Sequence, residues 1–148
     1  MKKLVLFIFL LLLNAANFLN AQEIKVHNFV GKQIKEAIAY YGKPVHQDNS
    51  IPEMISTFFQ LLNKSYIFIS NGDSVYQAQA IITYPSKDEI RNAVTSFMNE
   101  LVQIEFVSDT ISTEKYVLNK PGCSIENEIT ALSSGKYQLK IVARKTEN

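Results

Sequence analysis

The clearest hydrophobic pattern in the chain lies between residues 87 and 102. Apolar side chains recur there every three or four positions, which places them on one side of a helix: Ile90, Ala93, Val94, Phe97 and Leu101. Ser86 precedes the pattern and Glu89 follows three residues later, a capping-box spacing that satisfies backbone donors at a helix start. The pattern predicts a helix over about residues 87–102.

An earlier segment has the same helical spacing over fewer residues: Ile34, Ala37, Ile38 and Tyr41. Gly42 suits the left-handed conformation in which many helices end, and Pro44 cannot continue a helix. A first, shorter helix that ends near Gly42 is therefore predicted.

Two later stretches, residues 75–84 and 136–145, contain the same Tyr-Gln pair and then alternate apolar with polar residues. This alternation predicts strands with one buried side, which in the first stretch carries Tyr76, Ala78, Ala80 and Ile82. Each stretch follows an apolar segment and a turn, so each is predicted to complete a β-hairpin. In the second hairpin, a three-residue loop after Leu132 would set four pairs: Ile125/Ala143, Ile129/Leu139, Ala131/Tyr137 and, on the other face, Glu128/Lys140.

The order of helix and hairpin thus occurs twice. We predict an α+β fold of two tandem helix-then-β-hairpin units, with the helices packed on one face of an antiparallel sheet. The halves would cover about residues 30–84 and 86–145 within a single domain at 22–148. Chance similarity of two short alignments is the alternative to a repeat.

Residues 51–62 fit two predictions. Ser50 and Glu53 have capping-box spacing before a helical stripe of apolar residues, which favours a helix. The β-favouring residues at 56–59 favour a strand. We predict the helix. In the second half, residues 104–122 predict two strands, so the halves would differ at this point.

The chain opens with the pattern of a secretory signal peptide. Two lysines precede an apolar run at residues 4–13, and a polar stretch then ends at Ala21. We predict cleavage of residues 1–21, which leaves no stable membrane span, and a periplasmic or secreted location. The run is short for a bilayer-crossing helix of about 20 residues; an uncleaved anchor is the alternative.

Composition limits the partners and the chemistry. The formal net charge is +1 for the whole chain, and a balance so close to neutral disfavours nucleic acid as a partner. Only His27, His46 and Cys123 have imidazole or thiol groups, which metal sites and nucleophiles use most often. We therefore predict no cofactor, no metal and no enzymatic activity. Cys123 is interpreted as a core residue, with a reactive thiol as the alternative.

Two acidic residues on one strand, Glu126 and Glu128, have the spacing of a carboxylate pair on one face. Paired carboxylates perform acid–base catalysis in some enzymes. Lys140 and Arg144 on the following strand offer simple cross-strand charge pairing instead, and we adopt this structural interpretation.

Seven residues are candidates for a binding surface. Tyr66 and Phe68 belong to a strand that is apolar on both sides, so they form either core or an aromatic patch. The other five are polar residues on the outward side of the two hairpin strands: Gln77, Gln79, Gln138, Lys140 and Arg144.

Gly31, the apolar stripe that follows, Gly42 and Pro44 resemble the helical opening of small exported bacterial proteins of the beta-lactamase-inhibitor-like and outer-membrane-assembly-lipoprotein group. The resemblance covers about residues 30–84. It implies a helix pair on an antiparallel sheet, in two tandem copies among the inhibitors. This chain lacks the lipoprotein cysteine and the paired cysteines of the inhibitors, so no functional residue is carried over.

These observations predict an exported, non-catalytic binding or accessory protein of the bacterial cell envelope, whose partner is another envelope protein. The alternative is a small-ligand carrier or enzyme with a cavity between the helices and the sheet. The sequence does not determine the oligomeric state.

Overall fold

The computed structural model describes residues 24–72 and 74–147. The predicted signal peptide lies outside these residues. The described part contains a 3-10 helix at Val26–Phe29, helix α1 at Ile34–Tyr41 and helix α2 at Lys87–Gln103. It also contains eight strands: β1 at His46–Asp48, β2 at Ile55–Leu61, β3 at Lys64–Asn71, β4 at Ser74–Tyr84, β5 at Val107–Ser112, β6 at Lys115–Lys120, β7 at Cys123–Ala131 and β8 at Tyr137–Lys145.

The strands form one antiparallel sheet in the order β1-β2-β3-β4-β8-β7-β6-β5. Helix α2 takes the chain from β4 in the middle of the sheet to β5 at its far edge. The chain then returns strand by strand until β8 pairs with β4. The prediction of two tandem helix-then-hairpin units is therefore wrong, because each helix is followed by four strands and all of them join a single sheet. The antiparallel arrangement and the mixture of helix and strand are confirmed.

Residues 51–62, predicted as a helix, form a turn and β2. Thr57 and Phe59 are 0% and 2% exposed, whereas Phe58 between them is half-buried on the other side of the sheet. Burial therefore follows the period of two that belongs to a strand. Because β2 pairs along its whole length with β3, its backbone groups have partners that a local helix signal could not reveal.

The hydrophobic core lies between the helices and one face of the sheet. Tyr41 of α1 contacts Tyr66 and Phe68 of β3, with ring centroids 4.5 and 5.4 Å apart. Asn127 of β7 belongs to the same row of directly opposed residues as Tyr66, and its amide donates a 3.6 Å hydrogen bond to the Met98 sulfur on α2. Both helices therefore cover the same face.

The start of α2 agrees with its prediction. The Ser86 hydroxyl accepts a hydrogen bond from the Glu89 backbone N–H at 3.3 Å, as the capping-box spacing requires. The side chains that α2 buries all belong to the predicted stripe: Ile90, Val94, Phe97 and Leu101.

The predicted register of the last hairpin is also confirmed. Leu132 N–H donates to the Lys136 carbonyl at 2.8 Å, and the four predicted pairs, including Glu128 opposite Lys140, all occur. The two strands predicted within residues 104–122 are β5 and β6.

A β-bulge changes the predicted alternation at the start of β4. The register shifts between Ile69 and Ser70, so that Gln77 lies opposite Ile69 and Val75 lies opposite Ser70. Val75, which is 0% exposed, takes the core position that strict alternation assigns to Tyr76. Tyr76 is half-buried instead, because the bulge adds one residue to β4.

Candidate binding surface

The face of the sheet opposite the helices carries a row of residues that crosses the sheet. Directly opposed residues of paired strands point to the same side, which places six residues in this row: Phe58, Ile67, Gln79, Val142, Glu126 and Val117. Neighbouring rows add six more: Ile69, Gln77, Arg144, Ile81, Lys140 and Glu128. We call these twelve residues the open face, since both described helices pack on the other side.

The part of the open face on β2, β3 and β4 is largely apolar. Phe58, Ile67, Ile69 and Ile81 are half-buried there, so each presents part of its side chain to solvent. Val142 on β8 continues this apolar area and is only 4% exposed. Apolar side chains that are partly exposed on a sheet gain free energy when another molecule buries them.

The part of the open face on β7 and β8 is charged, and Glu126 is paired with two basic residues. The Glu126 carboxylate lies 2.8 Å from the Lys115 ammonium and 3.9 Å from the Arg144 guanidinium. The hydrogen bond from Lys115 holds the pKa of Glu126 below its usual range. Arg144 also donates a 3.1 Å hydrogen bond from Nε to the Gln77 amide oxygen on β4. These contacts orient side chains that project from four strands, β4, β6, β7 and β8.

The structure separates the seven candidate surface residues into two groups. Tyr66 and Phe68 are 1% and 0% exposed and lie under α1. Their assignment to an exposed patch is therefore wrong, and the core interpretation holds. The five polar residues share one side of the sheet. Gln77, Gln79, Lys140 and Arg144 lie on the open face, and Gln138 lies at its end, opposite Thr83 and Thr130.

The charge pairing proposed for Glu126 exists, but sequence reasoning missed its nearest partner. Arg144 contacts Glu126, as expected, whereas Lys115 of β6 lies closer. The pairing of β6 with β7 brings Lys115 to this position. A prediction limited to the last hairpin could not include β6.

A groove separates α2 from the turn between β2 and β3. It has a volume of about 1120 Å³ and is lined on the α2 side by polar residues that include Asn92, Ser96 and Glu100. Lys64 and Tyr84 line the opposite wall. Burial lowers the pKa of Lys64 and raises that of Tyr84 to about 12, so both groups are partly withdrawn from water.

His27 and Cys123 line a second cavity, of about 340 Å³. Burial, with smaller contributions from Lys120 and Lys25, lowers the pKa of His27 to about 4, and burial raises the pKa of the Cys123 thiol. Both groups are therefore neutral near pH 7, the opposite of the ion pair that activates a nucleophilic cysteine. Within the described residues, no group of three or more His, Cys, Asp or Glu residues could hold a metal ion.

Comparison of the chain with family models, curated proteins and solved structures gives no match. Its function is therefore inferred from the geometry of its surfaces. None of the helices in residues 24–72 and 74–147 has the length and apolarity needed to cross a bilayer.

Sequence reasoning missed the apolar half of the open face. Ile67 and Ile69 alternate with Tyr66 and Phe68, and this alternation was the available signal that β3 is apolar on both sides. It did not show which side the helices cover. Phe58 was missed because its segment was predicted to be a helix.

Proposed function

We propose that this protein is an exported, non-catalytic binding or accessory protein of the bacterial cell envelope, and that its open face holds another envelope protein. The observation that supports this function is the apolar strip on β2 to β4 beside paired charges on β7 and β8. The apolar strip supplies the favourable free energy of burial, and the oriented charges beside it select the partner.

The dimensions of the open face suit a protein partner. Eight strands spaced about 4.8 Å apart form a sheet about 34 Å wide. Six-residue strands such as β6 are about 20 Å long, so the face covers roughly 700 Å². A stable complex of standard size buries about 600 to 1,000 Å² on each partner. The side of the sheet that carries the open face is at the lower end of this range, so one partner would cover most of it.

Filling of the core around Tyr66 and Phe68 favours binding at a surface over binding in a cavity. Phe68 contacts Phe29, Tyr41 and Phe59, with ring centroids 5.4 to 5.7 Å apart. The space between α1 and β3 is therefore occupied by aromatic side chains.

The test is affinity capture from envelope extract of the source organism, using protein expressed from the full-length sequence with a tag after residue 148. Lys140→Glu reverses a charge on the open face, and Lys35→Glu makes the identical change on the exposed side of α1. We expect a partner that binds the wild-type and Lys35→Glu proteins and is lost from Lys140→Glu. Equal retention by both variants, or no specific partner at all, would contradict the proposal.

The groove beside α2 supports a second candidate function, that of a small-ligand carrier. Its volume of about 1120 Å³ slightly exceeds the range of about 300 to 1,000 Å³ for ligand sites. Ser96 and Thr95 are adjacent and exposed on α2, but of the two only Ser96 lines the groove. A ligand that raises the melting temperature of the wild-type and Thr95→Trp proteins, but not of Ser96→Trp, would establish this function.

A further inference from the structure

The two edges of the sheet differ in how much backbone they leave unpaired. β1 has three residues at one edge, whereas β5 has six residues at the other. An edge strand has one side of its backbone N–H and C=O groups without sheet partners, and proteins commonly protect such edges by keeping them short. β1 has this protection and β5 does not.

The sequence of β5 has only weak forms of the other common protections, one charged residue and a bulge at its end. Its six residues, Val-Ser-Asp-Thr-Ile-Ser, are all exposed and include one charge, Asp109, with no lysine and no proline. Lysine and proline are the residues that most often prevent edge strands from pairing. A register shift near Ile111 disturbs the end of the strand, while Val107 to Thr110 remain regular.

Exposed apolar side chains accompany this edge. Four of them lie within residues 102–111, from the end of α2 into β5: Val102 at 56%, Ile104 at 40%, Val107 at 73% and Ile111 at 61% exposure. Apolar side chains next to an unpaired strand favour its burial against another chain. The structural complement of an unpaired backbone ladder is a second β-strand.

We propose that β5 pairs antiparallel with β5 of a second copy of this chain, which joins the two sheets into one. This inference does not rest on the proposed function, since it uses the edge of the sheet and leaves the open face free. The net charge of the chain is close to zero, formally +1, so electrostatic repulsion between two copies is weak.

Symmetry and charge select the register. A two-fold axis perpendicular to the sheet keeps corresponding faces on the same side, so only residues of the same face can lie opposite each other. With Asp109 on the axis, two carboxylates would be opposed, which is destabilising. With Thr110 on the axis, the irregular Ile111 would have to pair. Ser108 on the axis avoids both problems and places Val107 opposite Asp109 of the other copy.

This arrangement has a consequence for binding. The same axis places both open faces on one side of the joined sheet. The dimer would therefore present two binding surfaces in the same direction, and a partner with repeated sites would be held more tightly than by one copy.

The test is sedimentation equilibrium of protein expressed from the full-length sequence and purified from the cell envelope. We expect a reversible dimer. Ser108→Lys and Ser108→Glu should each weaken it at least about tenfold, because each places like charges opposite each other on the axis. An equimolar mixture of the two variants should dimerise again. Gln47→Lys, the matched change on exposed β1, should leave the dimer intact.

Four results would overturn the proposal. Wild-type protein could remain monomeric up to about 1 mM, which would mean that the two copies associate too weakly for a specific dimer. The dimer could survive Ser108→Lys, or it could be lost in Gln47→Lys alone, which would place the contact elsewhere. A monomer that binds an added extended peptide at β5 would show a different occupant and would also reject self-pairing.

Discussion

The imidazole of His27 meets the phenyl ring of Phe97 edge to face, with the ring centroids 5.6 Å apart. The Phe106 ring also meets the imidazole edge to face, with the ring centroids 6.2 Å apart. His27 thus connects the 3-10 helix to α2 and to the segment before β5. Neither ring nitrogen has a hydrogen-bond partner among the described residues, so the contacts that hold this histidine are those of an apolar side chain.

The stability of the protein should depend on pH through His27. Its pKa is lowered from 6.5 to about 4 in the folded state, by burial first and then by Lys120 and Lys25. The unfolded chain therefore binds more protons between these values, and stability rises with pH over that window. About 3 kcal/mol should be present above pH 6.5 and lost as the pH falls towards 4.

Urea unfolding from pH 4 to 8 measures this dependence. His27→Leu should remove most of the slope between pH 4.5 and 6.5 (a window set by the histidine pKa), and His46→Gln should preserve it, because His46 is exposed. An unchanged slope in His27→Leu would show that other groups cause the pH dependence.

Truncation of Phe68 should be far more costly than truncation of Phe58. Phe68 is 0% exposed and contacts three aromatic rings, so Phe68→Ala should lower the free energy of unfolding by about 3 to 5 kcal/mol. Phe58 is half-buried on the open face, and Phe58→Ala should cost about 1 kcal/mol. Chemical denaturation of both variants gives the comparison, and equal losses would mean that Phe58 is buried as fully as Phe68.

Removal of the Ser86 cap should destabilise α2 measurably. Ser86→Ala deletes the hydroxyl that accepts from Glu89 N–H, at an expected cost of about 1 kcal/mol. Ser96→Ala, in the exposed middle of the same helix, should be neutral or slightly stabilising because alanine is the better helix former. The midpoint of urea unfolding should fall in Ser86→Ala and not in Ser96→Ala. Equal changes in the two variants would show a general effect of losing a serine and no capping contribution from Ser86.

Leu62 is held in a conformation that does not suit leucine. It lies in the two-residue turn between the paired residues Leu61 and Lys64, with φ of +51° and 89% exposure. Leu62→Asn should raise the free energy of unfolding by about 1 kcal/mol, since asparagine adopts positive φ more easily. Val45→Asn, at another exposed apolar residue, should have little effect. A melting temperature unchanged in both variants would indicate that the turn stores no strain.

Prediction from sequence succeeded where a feature depends on residues close together in the chain. The capping box at Ser86 and the three-residue loop after Leu132 are such features. It failed for β2, because the helical signal at Ser50 and Glu53 competed with a partner strand that only the folded sheet supplies. It also failed to place the candidate surface fully, because Phe58 and its neighbour in the charge cluster, Lys115, come from strands outside the hairpins that were predicted.

The sequence by itself determined α2 and the register of the last hairpin, since a helix cap, a stripe of apolar side chains and a short loop are satisfied within a few residues of each other. Only the tertiary structure decided that β4 pairs with β8 and that Tyr66 and Phe68, rather than Ile67 and Ile69, face the helices. Both sides of β3 are apolar, so its own pattern favours neither. Aromatic residues of α1 and the 3-10 helix determine which side of β3 is buried. Tyr41 and Phe29 pack against Phe68, and the isoleucines therefore lie on the open face.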